Sequence, residues 1–342
     1  MRFGVLDQSP LRSGATPEQA LEETLELARR TEALGFERYW VAEHHDSSGL
    51  MGPAPEILIA RIASVTERIR VGSGGVMLMH YSPFKVAEQF NLLEALFPHR
   101  IDLGLGRAPG SDGITAAALA YGNRIGMEYF GAKVADAAAW VTGGRPVTEA
   151  LQQVGISPRI ERHPELWLLG SSDQSAQLAA HLGLGFSFAH FIAPETAVAV
   201  CRMYREAFTP SAQLAQPRVV LGVFVLCADT EAEARDLALC RDLWRKRMMQ
   251  RGQPGAWPTV AEARAELGDR IDADPRAGHQ ILGTPDQVRQ QLEDLAAATG
   301  ADEFSVVTIT PEFEQRVRSY ELLAEAFGTR PSATLHSAHG AS

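Results

Sequence analysis

The sequence contains few cysteines and no long apolar run. Only three of its 342 residues are cysteine, at Cys201, Cys227 and Cys240, and no two of them form a Cys-x-x-Cys pair. An odd number of scattered thiols favours a reducing compartment over a disulfide framework, so we expect a cytoplasmic protein. No stretch of 18 apolar residues occurs, and the first residues lack a long apolar signal region. We therefore expect neither a transmembrane helix nor a secretion signal.

Basic residues are fewer than acidic ones. The 32 lysines and arginines stand against 42 aspartates and glutamates, which gives a formal net charge of −10. This balance argues against a general nucleic-acid-binding protein. Hydrophobic residues make up 45% of the chain and charged residues 22%, so a substantial core can form and wholesale disorder is not expected. The length fits one large α/β barrel or two mid-sized domains.

Eight apolar, strand-like segments alternate with helical segments along the chain. The first helical segment, 17–34, has Thr16 as its N-cap, Pro17 at its first position and Gly35 just after its end. Sequential strand–helix units imply a parallel sheet with right-handed crossovers. We predict one α/β domain over residues 1–330, a (β/α)8 TIM barrel. Its predicted strands are 2–6, 38–42, 70–74, 101–105, 166–169, 186–189, 219–226 and 303–309.

Two segments, 108–165 and 252–280, interrupt this alternation. Both are longer than an ordinary strand–helix connection and contain Gly/Pro-rich breaks, so we predict insertions after strand four and before the last helix pair. The last residues, 331–342, are predicted to be a flexible tail. The main alternative fold, a doubly wound open sheet, needs a glycine-rich phosphate turn after its first strand. Residues 7–10, Asp-Gln-Ser-Pro, do not form such a turn.

Titratable side chains follow the second predicted strand, at Glu43, His44 and His45. Catalytic groups of a barrel gather at the C-terminal ends of its strands. A histidine there can act as an acid, a base or a hydrogen-bond donor, although it can also simply hold a loop in place. Adjacent side chains on a strand point to opposite sides, so at most one of the two histidines is expected in the barrel mouth. The chain has no second histidine cluster at ligand spacing, and we expect no metal site.

Glycines and one arginine follow the third and fourth predicted strands. Gly74 and Gly75 remove side chains where a flat group can approach the backbone, although a tight turn would also explain them. Arg107 stands in a glycine-rich rim, where its guanidinium could bind paired oxygens of a phosphate or carboxylate. A salt bridge to a neighbouring loop is the alternative.

The turn after the fifth strand is rich in small and hydroxylated residues: Gly170, Ser171, Ser172 and Ser175. A helix N-terminus of this kind offers free N–H groups and a favourable dipole to an anion. Ordinary N-capping by Ser172 or its neighbour is the alternative. Because this turn and Arg107 both follow strand ends, we predict that they meet as a phosphate clamp.

With these motifs the chain resembles the bacterial luciferase-like, flavin-dependent monooxygenase family along most of its length. The resemblance is densest at residues 40–45, 71–76, 83–93 and 104–107, in the turn 168–172 and at 283–288. It implies a TIM barrel that binds FMN, with reduced FMN usually supplied by a separate flavin reductase, and with O₂ and a small organic molecule as substrates.

The resemblance also implies roles for single residues. The flavin-adjacent histidine of the family corresponds to His44 and its neighbouring acid to Glu43. The pair that holds an unusual cis peptide under the flavin corresponds to Gly74 and Gly75, and the phosphate-binding groups are Arg107, Gly170, Ser171, Ser172 and Ser175. Gly106 replaces the reactive cysteine of the light-emitting members, and Ser171 replaces an acid in their phosphate turn. Light emission from a long-chain aldehyde is therefore not expected.

Two other functions stay open on the sequence. One is an F420-dependent dehydrogenase or reductase of the same superfamily, which transfers hydride without O₂. The other is a non-catalytic flavin-binding barrel. The helical segments 55–67 and 83–96 carry apolar residues on more than one face, and the resemblance implies a homodimer through helices at this position.

Overall fold

The computed structural model describes residues 1–108, 110–122, 127–251, 255–268 and 279–330, with only the backbone at positions 127 and 251. Within these residues, eight parallel strands form a closed barrel, because the last strand pairs with both the first strand and the seventh. The predicted TIM barrel is confirmed. The barrel strands are β1 (Arg2–Asp7), β2 (Arg38–Val41), β3 (Arg70–Ser73), β5 (Ile101–Gly106), β6 (Glu165–Gly170), β7 (Gly185–Ala189), β8 (Val219–Cys227) and β10 (Glu303–Val307).

Two short strands extend the sheet at the C-terminal end of the barrel. The strand β4 (Val76–Met77) pairs with β5 just above β3, and β9 (Gln280–Gly283) pairs with the last four residues of β8. The sequence did not predict β9. Its first residue, Gln280, ends the predicted insertion 252–280, and its other three residues follow directly in a stretch where no alternation marks a strand.

Helices surround the barrel. Helix α1 begins where the sequence predicts, with Thr16 as N-cap: the Gln19 backbone N–H donates to the Thr16 hydroxyl, and the Thr16 N–H donates to the Gln19 side chain. The described helices are α1 (Pro17–Ala33), α2 (Pro55–Ala63), α3 (Pro83–Leu96), α4 (Gly113–Ala120), α5 (Phe130–Val141), α6 (Asp173–Leu182), α7 (Ala197–Ala207), α8 (Glu231–Arg251), α9 (Val260–Leu267), α10 (Pro285–Thr299) and α11 (Phe313–Phe327). None of them is long and apolar enough to cross a membrane.

The long connection between β5 and β6 contains α4, α5 and two 3₁₀ turns, Met127–Tyr129 and Glu149–Leu151. The connection between α8 and β9 contains α9. Residues 252–254 and 269–278 of this second connection, and the tail predicted for 331–342, lie outside the described residues.

A buried cluster of charged side chains fills the N-terminal end of the barrel. Arg38, at the start of β2, is 1% exposed. Its Nη1 lies 2.5 Å from Asp102 Oδ2 on β5, and its Nε lies 2.7 Å from Glu303 Oε1 on β10. The guanidinium also lies 4.9 Å from the centre of the Trp167 ring. A Cβ at Gly4 would lie 2.5 Å from Arg38 Cγ, so the glycine on β1 makes room for this side chain.

Asp102 is the shared acceptor of this cluster. It also accepts hydrogen bonds from Arg70 Nε on β3, at 2.8 Å, and from Trp40 Nε1 on β2, at 2.8 Å. Burial alone would raise the pKa of Asp102, but the charges of Arg70 and Arg38 outweigh it and lower that pKa. Burial raises the pKa of Glu303 despite its contact with Arg38. Asp102 is therefore held as a carboxylate at the centre of four barrel strands.

We predict that Arg38→Met strongly destabilises the fold. The substitution keeps an apolar stem of similar length but leaves the buried Glu303 without its main cation and Asp102 with Arg70 alone, and breaking a buried ion pair typically costs about 3–5 kcal/mol of unfolding free energy. Urea unfolding of the variant and the parent measures this loss. Arg318→Met is the control, because Arg318 makes an exposed ion pair with Asp229 that should be worth less than about 1 kcal/mol. Equal losses in the two variants would contradict the structural role of Arg38.

Candidate functional site

A cavity of about 480 Å³ lies at the C-terminal ends of the barrel strands. Its size is within the range of small-molecule and cofactor sites. The structure brings eight of the nine sequence-predicted site residues to its wall, and Glu43 is the exception. The eight are His44, Gly74, Gly75, Arg107, Gly170, Ser171, Ser172 and Ser175.

One wall of this cavity consists mainly of backbone and small apolar groups. The peptide bond between Gly74 and Gly75 is cis. A Cβ at Gly74 would lie 2.5 Å from Leu6 Cδ1, and a Cβ at Gly75 would lie 2.8 Å from the carbonyl oxygen of Gly104. Side chains larger than glycine therefore do not fit at either position. This part of the wall carries no side chain and no charge, which suits a planar ring.

His44 lies inside the cavity and is largely buried. Its Nδ1 has no hydrogen-bond partner among the residues that the structure describes. Burial, and to a smaller degree the neighbouring His45, lowers the pKa of His44 to about 4. The imidazole is therefore neutral near pH 7, and it offers the cavity a neutral ring nitrogen rather than a cation.

Glu43 is 1% exposed and does not line the cavity. Its Oε1 lies 2.7 Å from His45 Nε2 and accepts a hydrogen bond from the Tyr81 hydroxyl, also at 2.7 Å. Its Oε2 accepts from the backbone N–H of Met77 at 2.9 Å. The carboxylate therefore holds the segment after β2 against the segment 77–81, which includes the cavity-lining Met77.

The polar end of the cavity joins Arg107 to the N-terminus of α6. Arg107 Nη1 donates to Gln174 Oε1 at 3.0 Å, and no carboxylate in the described part of the chain forms an ion pair with Arg107. Ser172 caps α6 by accepting from the Ser175 N–H at 3.4 Å. Ser172 therefore caps α6, and the same turn also lines the cavity. A Cβ at Gly170 would lie 2.4 Å from Ser175, so glycine lets the helix start approach the strand end.

A second cavity, of about 340 Å³, adjoins the first. Both are lined by Gln8, His44, Gly110 and Phe191. The second cavity is otherwise bounded by α8, by nearby aromatic rings and by the loops after β2 and β5. Both His44 and His45 line it, so the expectation that at most one of the two histidines enters the barrel mouth was wrong. From α8 and its surroundings come Arg241, Trp244, Arg245, Met248, Phe224 and Trp257.

Sequence reasoning missed Gln8 and the cavity-facing side of α8. Arg241, Trp244, Arg245 and Met248 follow the i, i+3, i+4, i+7 spacing of a single helix face. This spacing is the sequence signal that could have identified the cavity-facing side of α8. On a strongly charged helix, however, the same spacing also fits a solvent-exposed face. The described residues contain no group of three or more histidine, cysteine or acidic side chains that could hold a metal ion.

Residues 1–303 match the family model described as luciferase-like monooxygenase. Protein YceB of Bacillus subtilis (strain 168) is 42% identical over 330 residues, covering 96% of this chain and 99% of that protein. The N-acetyl-S-alkylcysteine monooxygenase of the same organism is 34% identical over 330 residues, covering 95% and 98%. A luciferase-like monooxygenase of Escherichia coli (strain K12) is 35% identical over 324 residues, covering 94% and 95%.

Solved structures share the fold of this chain. The crystal structure of apo-MsnO8 superposes with a TM-score of 0.89 at 42% identity, covering 96% of this chain and 99% of that one. The oxygenating constituent of 3,6-diketocamphane monooxygenase of Pseudomonas putida, in complex with FMN, superposes at 0.69 with 20% identity, covering 98% and 99%. An F420-dependent secondary alcohol dehydrogenase superposes at 0.65 with 15% identity, covering 95% and 98%. The last two similarities are evidence of fold only.

We predict that His44 makes the protein less stable in mild acid. Its folded-state pKa of about 4 lies below the ordinary value of about 6.5. As the pH falls below 6.5, the unfolded chain binds a proton that the folded chain does not, so stability declines. Between pH 7 and pH 5 the parent should therefore lose about 2 kcal/mol more unfolding free energy than His44→Gln. Urea unfolding at both pH values measures the difference.

The exposed His181→Gln is the matched control for the loss of a histidine, and its pH dependence should follow that of the parent. An identical pH dependence in the parent and in His44→Gln would show that His44 titrates normally.

Proposed function

This chain belongs to the luciferase-like monooxygenase family, and we propose that it is a flavin-dependent monooxygenase that uses reduced FMN and O₂ to oxidise a small organic substrate. One observation carries the proposal. The larger cavity combines a wall without side chains, at Gly74 and Gly75, with a polar end formed by Arg107 and the start of α6. FMN has the same two parts, a planar ring system and a phosphate.

The described residues fit FMN in size and polarity. The cavity volume of about 480 Å³ is appropriate for a cofactor. Arg107 would bind the phosphate through its guanidinium, and Ser171, Ser172 and Ser175 would add hydroxyl groups and helix N–H groups. Leu6 and the Gly74–Gly75 backbone would face the ring.

Reduced FMN, when bound, supplies the electrons for the reaction with O₂. The protein side chains would orient the substrate, hold a proton and keep water away. His44 is the catalytic residue that we propose, because it lies where the two cavities meet and its neutral imidazole can exchange a proton or a hydrogen bond with a reacting group.

Glu43 has a different role in this proposal. Because it contacts His45, Tyr81 and the Met77 N–H rather than the cavity, it acts as a positioning residue. It would hold the wall on which His44 and Met77 stand. The second cavity would receive the organic substrate.

Relatives support the reaction class. The N-acetyl-S-alkylcysteine monooxygenase is similar over nearly its whole length, which supports a small organic molecule as the substrate of this chain. We further propose that a separate flavin reductase supplies reduced FMN, as the family resemblance implies.

Arg107→Ala should weaken FMN binding far more than riboflavin binding, because riboflavin lacks the phosphate that Arg107 would hold. A charge-assisted hydrogen bond contributes roughly 1.5–3 kcal/mol, so we expect an approximately ten- to hundredfold loss for FMN and little change for riboflavin. Calorimetric titration of both flavins measures this. Arg145→Ala removes an exposed arginine elsewhere in the same long connection and should leave both affinities unchanged.

Equal losses of affinity for FMN and riboflavin would show that Arg107 does not bind the phosphate. Titration with F420 in the same series tests the cofactor itself: tighter binding of F420 by a factor of ten, or about 1.4 kcal/mol, would replace FMN in the proposal. Tight binding of FMN without any product, across a broad panel of substrates mixed with reduced FMN and O₂, would favour a non-catalytic flavin-binding barrel.

We also propose a homodimer. Most of the apolar residues on α2 and α3 are buried or partly buried within the chain, but Ile57, Leu92 and Leu96 are 68%, 52% and 60% exposed. Three large apolar side chains on adjacent helices favour an isologous contact with a second copy.

Leu92→Asp should convert the dimer to a monomer, because a carboxylate would be buried in the contact. Light scattering at micromolar concentration should give twice the chain mass of 37.1 kDa for the parent and the single mass for the variant. Ile114→Asp is the matched control, because Ile114 is 83% exposed on a different helix, α4. A parent protein of 37.1 kDa at these concentrations would exclude the dimer.

A further inference from the structure

We infer that Lys133 of α5 is a positioning residue for the flavin ring. Its ammonium group holds residues 77–81, which we call the wall segment, in place beside the larger cavity. The inference deepens the proposed function, on which it rests for the statement that this cavity holds a flavin. The contacts of Lys133 within the protein do not depend on any ligand.

The ammonium group of Lys133 is bound by backbone carbonyl groups. Its Nζ donates to the carbonyl oxygens of Leu78, Met79 and Tyr81, at 3.3, 2.9 and 3.0 Å. An ammonium group has three N–H bonds, one for each of these oxygens, whereas a neutral amine would turn its lone pair toward one of them. Burial lowers the pKa of Lys133, because the ammonium group has lost part of its hydration. The carbonyl oxygens replace that water and select the charged form.

The wall segment borders the part of the cavity that we propose for the ring. It begins one residue after Gly75, whose peptide bond with Gly74 is cis, and it contains the 3₁₀ turn Leu78–His80. Met77 lines the larger cavity, and a Cβ at Gly110 would lie 3.2 Å from the Met77 side chain. A displacement of the wall segment would therefore change the shape of the cavity beside the ring.

Glu43 and Lys133 hold the wall segment from two different parts of the chain. Glu43 accepts hydrogen bonds from the Met77 N–H and the Tyr81 hydroxyl, after β2. Lys133 donates to the carbonyl groups from α5, within the long connection between β5 and β6. All residues of α5 are described by the structure, and none of them lines the larger cavity. Lys133 therefore acts on the cavity through the wall segment.

The helix that carries Lys133 is itself firmly packed. Val134, Ala137 and Trp140 of α5 are buried. The Trp140 ring packs edge-on against Phe84 of α3, with ring centres 5.3 Å apart, and its Nε1 donates to the Val154 carbonyl at 2.9 Å. Because this packing fixes α5, the ammonium group at the end of the Lys133 side chain has a defined position relative to the wall segment.

The first test is hydrogen–deuterium exchange of the flavin-free protein, followed by mass spectrometry of peptides that span residues 76–81. Lys133→Met keeps the apolar stem and removes the charge. The Met77 amide should then exchange about ten- to hundredfold faster, the scale of a lost charge-assisted hydrogen bond, whereas amides of the core strand β10 should keep their rates. Lys85→Met is the matched control, because Lys85 is an exposed lysine of α3, and it should change neither.

Unchanged exchange at Met77 would overturn the inference. Equal acceleration at Met77 and in β10 would also overturn it, because that result indicates a general loss of stability rather than a local effect on the wall segment.

Flavin binding gives a second signature. Lys133→Met should weaken FMN and riboflavin by the same factor, about tenfold, because the wall segment lies beside the proposed ring site and not beside the phosphate site. Arg107→Ala, in contrast, should weaken FMN alone. Calorimetric titration of both flavins measures the two losses. A loss for FMN without a loss for riboflavin would contradict the proposed action of Lys133 on the ring wall.

Chemical rescue tests the charge itself. Lys133→Cys treated with 2-bromoethylamine carries an ammonium group on a thioether chain of nearly the original length. The native thiols of Cys201, Cys227 and Cys240 are buried, and burial raises the pKa of each to about 12, so the introduced thiol reacts first. Aminoethylation should return the Met77 exchange rate and both flavin affinities toward the parent values. Iodoacetamide attaches a neutral amide to the same sulfur and should not, and equal recovery with both reagents would overturn the role of the charge.

The exchange measurement without flavin separates this inference from the proposed function. Faster Met77 exchange in Lys133→Met, in a protein that does not bind FMN, would leave Lys133 as the residue that holds the wall segment and remove the flavin proposal. Tight FMN binding by the parent, with unchanged exchange and unchanged affinity in Lys133→Met, would keep the flavin proposal and overturn the inference.

Discussion

The guanidinium of Arg38 and the carboxylate of Asp102 form the contact on which the barrel depends. Asp102 accepts from Arg38, Arg70 and Trp40, and Arg38 reaches Glu303, so one buried cluster joins β2, β3, β5 and β10. It fills the N-terminal end of the barrel with charge that is compensated internally. The C-terminal end is free to be hollow because the strands are fixed at the other end, and both cavities lie there. Stability and chemistry thus occupy opposite ends of the same strands.

The strand order and most of the larger cavity could be predicted from the sequence because both follow from local patterns. Apolar runs that alternate with helical segments marked all eight barrel strands, and the convergence of the strand ends brought Arg107 and the Ser171–Ser172 turn to one cavity. The position of Glu43 could not be predicted in this way. After a strand ends, side-chain alternation no longer decides direction, and Glu43 is fixed by Tyr81 and the Met77 N–H, which are distant in sequence.

The second cavity shows where sequence reasoning fails for a different reason. It combines Gln8, His44, Phe191 and the face of α8 that carries Arg241, and these positions come together only when the barrel closes. The sequence of α8 considered alone indicates a charged helix on the surface. The sequence did not predict β9 for a similar reason. This strand has only four residues, its sequence shows no alternation, and it forms by pairing with the C-terminal end of β8.

The two walls of the site have different capacities for evolutionary change. At Gly74 and Gly75 any Cβ would collide with Leu6 or with the Gly104 carbonyl, so the wall proposed for the flavin ring tolerates almost no substitution. The wall formed by α8 consists of long side chains on a helix outside the barrel, and none of them stands on a barrel strand. If the two cavities hold flavin and substrate as proposed, a lineage of such proteins can change its substrate by replacing residues of one helix while the wall next to the flavin stays the same.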